Sequence, residues 1–356
     1  MQNTRPHTLL IGVIGVTGAA CGGTVQSDPD GSSQAIASAG PTGGNTGSGG
    51  GGGAGGAGMG GIGGGDPPAD PGCGAPGSTW DPISALTDGS GQGRRQIWGS
   101  APDDVWVVGP GEGEARHFNG ADWEQADLGL EGFSPSAISG SAADEVFVAS
   151  PDGSVLRFNG SGWQFDGALM SAPALWAWGS GEALAVGASA TFMKRTAGAW
   201  TAQPLDVLTF PRAIGGSSGA DVFAVGDSGL VMHYNGSGWT QLDAPAPANL
   251  VSVWSLGPGE AVAGGEAGQI MRLTPSEVTS MEPLPEPYTG HTIAAVWAAG
   301  PKAIFALGSQ TLFFHDGSQW HTQPMNFIDQ GAALWGSSVH DVYVVGGQFA
   351  IRRCSR

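Results

Sequence analysis

Runs of four apolar residues recur along most of the chain, each closed on both sides by polar, glycine-rich turns. Examples are Val105-Trp106-Val107-Val108, Val146-Phe147-Val148-Ala149, Val222-Phe223-Ala224-Val225, Ile304-Phe305-Ala306-Leu307 and Val342-Tyr343-Val344-Val345. They are too short for helices and apolar on both faces, which predicts strands covered from both sides. A second pattern follows each run: Arg116-His117-Phe118-Asn119-Gly120-Ala121-Asp122-Trp123, Leu156 to Trp163, His233 to Trp239, and Phe314 to Trp320. Asn-Gly or Asp-Gly between apolar stretches predicts a β-hairpin. The expected turn is type I′, with positive φ at both central residues.

Aligned on these patterns, the chain repeats one unit seven times. The units start at Trp98-Gly99-Ser100, Ser139-Gly140-Ser141, Trp178-Gly179-Ser180, Gly215-Gly216-Ser217, Trp254-Ser255-Leu256, Trp297-Ala298-Ala299 and Trp335-Gly336-Ser337. Their middle residues are 41, 39, 37, 39, 43 and 38 apart. Each unit predicts four antiparallel strands: A at the start motif, B the apolar run, C up to the turn, and D from the Trp. Four-stranded units at a period near 40 are propeller blades. The seventh unit stops where strand C ends, and Gly77-Ser78-Thr79-Trp80 supplies a matching strand D. The fold class is therefore all-β: a seven-bladed β-propeller of four-stranded blades, the last closed by the N-terminal strand.

Composition changes the picture mainly at the N-terminus. Of 356 residues 65 are Gly, and 16 of the 23 between Gly43 and Gly65 are. Such a stretch is costly to order and buries nothing, so residues 21–72 predict a flexible tether and 73–356 the propeller. Residues 1–20 carry Arg5 and then the apolar run from Leu9 to Val16, which predicts a secretory signal. Gly18-Ala19-Ala20-Cys21 after it resembles a bacterial lipobox, with Gly18 in place of the usual Leu. The resemblance implies lipidation of Cys21 and, with Gly22 following, an outer-membrane lipoprotein, periplasmic or surface-exposed. The net charge of −18 disfavours nucleic acid as a partner. With Cys21 lipidated, Cys73 and Cys354 remain, one on each strand of the shared last blade. A disulfide between them is expected to clasp the ring.

The Gly-x-x-Trp hairpins partly resemble the Asp-box of sialidase-type propellers, but Tyr234 stands where that motif has Asp. More closely, the Trp-Gly-Ser, Asp-Val-Phe-Ala-Val-Gly and Asn-Gly-x-x-Trp elements resemble a repeat of uncharacterised bacterial envelope lipoproteins of the propeller class. That resemblance covers Trp80 to Arg356 and implies a fold rather than an activity.

The candidate chemistry is sparse. Arg116, Arg157, Lys194, Arg195, His233 and Arg272 fall on strand C and are expected as solvated outer-strand residues, not a sialidase arginine cluster. Asp104, Glu145, Asp221 and Asp341 each precede strand B, where a carboxylate is expected to bond the A–B turn backbone rather than calcium. No Ser/His/Asp arrangement, zinc spacing or Tyr/His copper set is apparent, so no cofactor or metal is expected. Trp98, Trp178, Trp254, Trp297 and Trp335 on strand A predict packing between blades. Function is sought in the irregular loops. D–A and B–C loops share one face, the longest D–A loop running from Leu273 to Ile293. The candidate binding residues there are Phe210, Arg212, Glu286, Tyr288, His291, His321 and Phe327, with Phe133 and Met325 beside them. These predict a monomeric, non-catalytic binding or scaffold module for an envelope protein or a glycan. The alternative is a carbohydrate-active enzyme with an eroded motif, which two convergent carboxylates at a channel mouth would favour.

Overall fold

The computed structural model describes residues 80–86, 95–109, 111–169, 171, 174–186, 191–204, 209–325, 333–347 and 349–354. They form seven four-stranded antiparallel sheets arranged in a ring. Blade 1 shows the pattern, with strand A at Gln96–Ala101, B at Asp104–Val108, C at Ala115–Phe118 and D at Trp123–Gln125. Strand A of every blade touches strand A of the next, and blade 7 returns to blade 1, so the A strands line a central channel. Strand B is buried in each blade from its second residue onward, as its unbroken apolar run requires.

The last blade combines both ends of the described chain. Its strands A, B and C are Ala333–Ser338, Asp341–Val345 and Ala350–Cys354, and its outer strand is Asp81–Pro82. Asp81 pairs with Arg352 and Pro82 with Ile351, and the Ile83 amide donates to the Ala350 carbonyl at 2.8 Å. The N-terminal strand thus closes the ring in the register the repeat predicts.

Two turn details differ from expectation. Four residues, Asn119 to Asp122, separate the paired Phe118 and Trp123, and only Gly120 has positive φ, at 90°. Asn119 instead uses its side-chain Oδ1 to accept the Ala121 and Asp122 amides, both at 3.0 Å, so it need not enter the left-handed region itself. The two-residue turn with both φ positive occurs in blade 3, at Ala197 (51°) and Gly198 (83°).

Pairing also corrects one start motif. In blade 1 Trp98 pairs with Trp106, and in blade 3 the residue at that position is Trp176, opposite Leu184. Trp178 lies two residues further on, opposite Glu182, and stacks on Trp176 with ring centroids 4.9 Å apart.

The corrected alignment reveals how blades join. The ring of Trp98 lies over Gly140 of the next blade, where an added Cβ would come within 2.6 Å of it. Trp335 meets Gly99 at 2.6 Å, Trp297 meets Gly336 at 2.8 Å, and Trp176 meets Gly216 at 3.0 Å in the same way. A large ring on one blade therefore requires glycine on its neighbour. We expect Gly140→Ala to destabilise the domain by about 1–3 kcal/mol through overpacking. Trp98→Ala should cost about 3–5 kcal/mol, and the double variant less than the two combined. Gly162→Ala has open space around it and should stay within about 0.5 kcal/mol of wild type. Chemical denaturation of the four proteins checks all three values.

Candidate functional site

The strand-C basic residues are not simply solvated. In blade 4 the Asp221 carboxylate accepts the Ser217 hydroxyl at 2.5 Å and lies 2.8 Å from His233 Nε2, while the Gly259 amide of blade 5 donates to it at 2.8 Å. His233 in turn packs on Phe223, 4.6 Å between centroids. The same arrangement joins Ser100, Asp104 and His117 in blade 1, and Ser337, Asp341 and Arg352 in blade 7. Glu145 and Arg157 in blade 2, and Glu260 and Arg272 in blade 5, keep the acid–base half of it. Arg195 of blade 3 instead reaches Asp166 of blade 2 at 2.6 Å. These carboxylates are therefore taken up by side chains of their own blade and, for Asp221, by the next blade as well. Among the described residues no group of three or more metal-binding side chains converges.

This polar ring ties the A–B ends of the blades together and carries a pH dependence. Burial pushes the Asp221 carboxyl up, but the Ser217 hydroxyl, Gly259 amide and His233 ring more than offset this and hold it below its ordinary value. A carboxyl depressed on folding stabilises fully above its unfolded value near 4 and loses that contribution as pH falls through the folded value. Asp221→Asn should cost about 1–3 kcal/mol near neutral pH. That deficit should shrink as denaturation is repeated from about pH 6 to below 3.

The opposite end, where D–A and B–C loops meet, is built differently. Backbone bonds lock the loops together: the Asp227 amide donates to the Phe210 carbonyl at 3.0 Å, Glu266 to Asn249 at 2.9 Å and Gly268 to His291 at 2.7 Å. The channel opens here as a cavity of about 180 Å³. Its walls are mainly aliphatic, with Ile97, Ile138, Leu175, Ile214, Val296 and Leu334 contributed by six different blades. Arg212 is the one cation among its described lining residues, and no carboxylate is among them.

Trp254 makes this channel unlike a regular ring. It occupies the seam position of blade 5, but blade 6 has Ala298 where the other Trp-bearing seams have glycine. Its ring packs instead against the cores of blades 5–6, 6–7 and 7–1, and so lies across the channel, with Nε1 donating to the Ala298 carbonyl at 3.1 Å. It also lines the cavity.

The candidate residues separate on this frame. Phe210 is 54% exposed at the start of blade 4, and the Arg212 side chain beside it is 48% exposed and ion-paired to Asp227. The long D–A loop is shorter than expected, because Val278–Ser280 forms strand D of blade 5. Within the remaining loop, Tyr288 is an anchor, edge-on to Phe313 at 5.4 Å and to His291 at 5.2 Å. Glu286 is exposed and accepts the Thr289 hydroxyl at 3.3 Å. Phe133 and Met325 are buried core residues rather than contact points. His321 does not belong to this face: it lies on strand D beside the C–D turn, 2.7 Å from Asp316, at the other end of blade 6. Phe327, Cys21 and Cys73 fall outside the described residues, and Cys354 ends strand C of blade 7. Sequence reasoning missed Trp254 as a channel residue; its only signal was Ala298 in the following unit.

No family model matches the chain, and no curated protein matches it. Solved structures do. YCF48 bound to D1 peptide superposes with a TM-score of 0.59 at 16% identity, covering 78% of this chain and 95% of that one. YCF48 from Cyanidioschyzon merolae gives 0.62 at 14%, covering 78% and 99%. The WD40 propeller domain of Doa1 gives 0.62 at 13%, covering 77% and 96%. At these identities the likeness establishes the propeller fold.

Proposed function

We propose that the chain is an exported, lipid-anchored envelope protein whose propeller binds another protein on the D–A face. The observation that carries this reading is Phe210, a large aromatic exposed on a D–A loop fixed by a backbone bond, two residues before Arg212 of the channel wall. An exposed aromatic held on a backbone-bonded loop is the kind of anchor protein interfaces use. A propeller of the same fold, YCF48, is seen with a peptide bound. The aliphatic channel lacks the paired carboxylates of a glycoside hydrolase among its described residues, which favours binding over hydrolysis. Cys21 would carry the lipid and residues 22–72 the reach from it, with Cys73 and Cys354 joined across the closing blade.

A photo-crosslinking amino acid placed at Phe210 in the cell tests the binding face. Phe165, 60% exposed on the outer strand of blade 2, is the control position. Protein adducts at position 210 and not at 165 are expected, alongside no binding on a glycan array. Glycan binding without position-specific adducts would overturn the protein-binding reading. Separately, the intact mass of the non-reduced, purified protein should show Cys73 and Cys354 joined; two free thiols would remove the clasp.

A further inference from the structure

Charge is divided unequally between the two ends of the propeller. On the A–B side, the carboxylates at the start of strand B in blades 1, 2, 4, 5 and 7 each meet a strand-C base. On the D–A side, the described D–A and B–C loop residues carry ten carboxylates against one guanidinium, Arg95, which is ion-paired to Glu114. Arg212, at the start of strand A, is taken by Asp227. Glu112, Asp127, Glu131, Asp152, Asp243 and Glu266 are exposed on these loops. The rim is thus acidic while the channel it surrounds is aliphatic, with the Trp254 ring across it.

The size of the cavity narrows its occupant. At about 180 Å³ it is smaller than the roughly 300–1,000 Å³ of small-molecule sites, and it suits a single apolar side chain. A chain presenting that side chain must cross the acidic rim, where Lys or Arg is favoured and Asp or Glu is repelled.

Building on the protein-binding reading above, we propose that the D–A mouth takes a cationic peptide segment. One large apolar side chain enters the channel and rests on Trp254, while flanking Lys or Arg residues lie along the loops bearing Glu131, Asp152, Asp243 and Glu266. Phe210 covers the segment from the blade 4 side. Because the rim charges are exposed, the attraction is screened over about 10 Å at 0.1 M salt, whereas the apolar anchor is not.

Fluorescence anisotropy with the mature full-length chain and three short labelled peptides tests this. One peptide has a central Leu flanked by Lys, the second the same Leu flanked by Glu, and the third a central Ser flanked by Lys. We expect the Lys-Leu peptide to bind at least tenfold more tightly than either of the others and to weaken as salt is raised. Ala174→Leu, which fills the channel mouth, should abolish the advantage of Leu over Ser. Glu131→Lys combined with Asp243→Lys should remove the advantage of Lys over Glu. Thermal melting shows that both variants are folded. Equal or tighter binding of the Glu-flanked peptide would overturn the cationic partner while leaving a protein-binding face. Leu-dependent binding that survives Ala174→Leu would overturn use of the channel. Binding of none of the three would overturn the inference, and the crosslinks at position 210 then report independently on the protein-binding reading.

Discussion

The structure depends on a volume rule at the seams between blades. Each strand A carries one residue that projects toward the next blade, and that blade offers the position that receives it. Trp98 with Gly140, Trp176 with Gly216, Trp297 with Gly336 and Trp335 with Gly99 all pair a large residue with none. Where the receiving residue has a side chain, the donor is small: Ser139 faces Ala177, accepting its amide at 3.0 Å, and Gly215 precedes Ser255 of blade 5. Close-packed interiors tolerate neither a void nor an extra methylene, so the two positions are coupled although about 40 residues separate them, and 236 in the case of Trp335 and Gly99. Each blade is a marginal four-stranded sheet by itself; the seams make the ring one body.

Breaking that rule creates the channel's character. Trp254 precedes a blade with Ala298, and the methyl group denies its indole the seam. The ring turns instead to the apolar channel, whose cavity it lines. A single methyl on one blade thus determines the floor of a cavity lined by all seven.

The blades were legible because strand B, the Asn-Gly turn and the following Trp recur with little variation. The closing strand was legible for the same reason, since Trp80 stands to blade 7 as Trp239 does to blade 4. Blade 3 was misplaced by two residues because Trp178-Gly179-Ser180 copies the letters of the motif while Trp176 holds its position. Side chains in a strand alternate with period 2, so a shift of two keeps every residue on its own face and the hydrophobic pattern cannot detect it. The loops were less legible still. Nothing in Pro285-Glu286-Pro287-Tyr288 reveals that the Tyr points down onto Phe313, because that depends on a strand of the following blade. The strand-C bases looked solvated for a similar reason: their carboxylates lie 11 to 13 residues earlier, across a strand pair rather than beside them in sequence.

A ring of near-equivalent blades has no preferred site by construction, so a site must arise where equivalence fails. At the A–B end a strand-B carboxylate meets a strand-C base in five of the seven blades, and the blade 4 acid is bonded to the blade 5 turn. At the D–A end the departures fall together in blades 4 and 5. Blade 4 brings Phe210 and Arg212, and blade 5 brings Trp254. These blades also share a B–C turn with a non-glycine residue in the left-handed region, Ser228 at φ 56° and Ala267 at φ 54°. Such turns persist only where surrounding contacts hold them, and here the Phe210 and Asn249 carbonyls do so. The irregular sector is therefore as firmly fixed as the regular one. That backbone bonding holds Phe210 exposed on its loop, two residues before Arg212 of the channel wall.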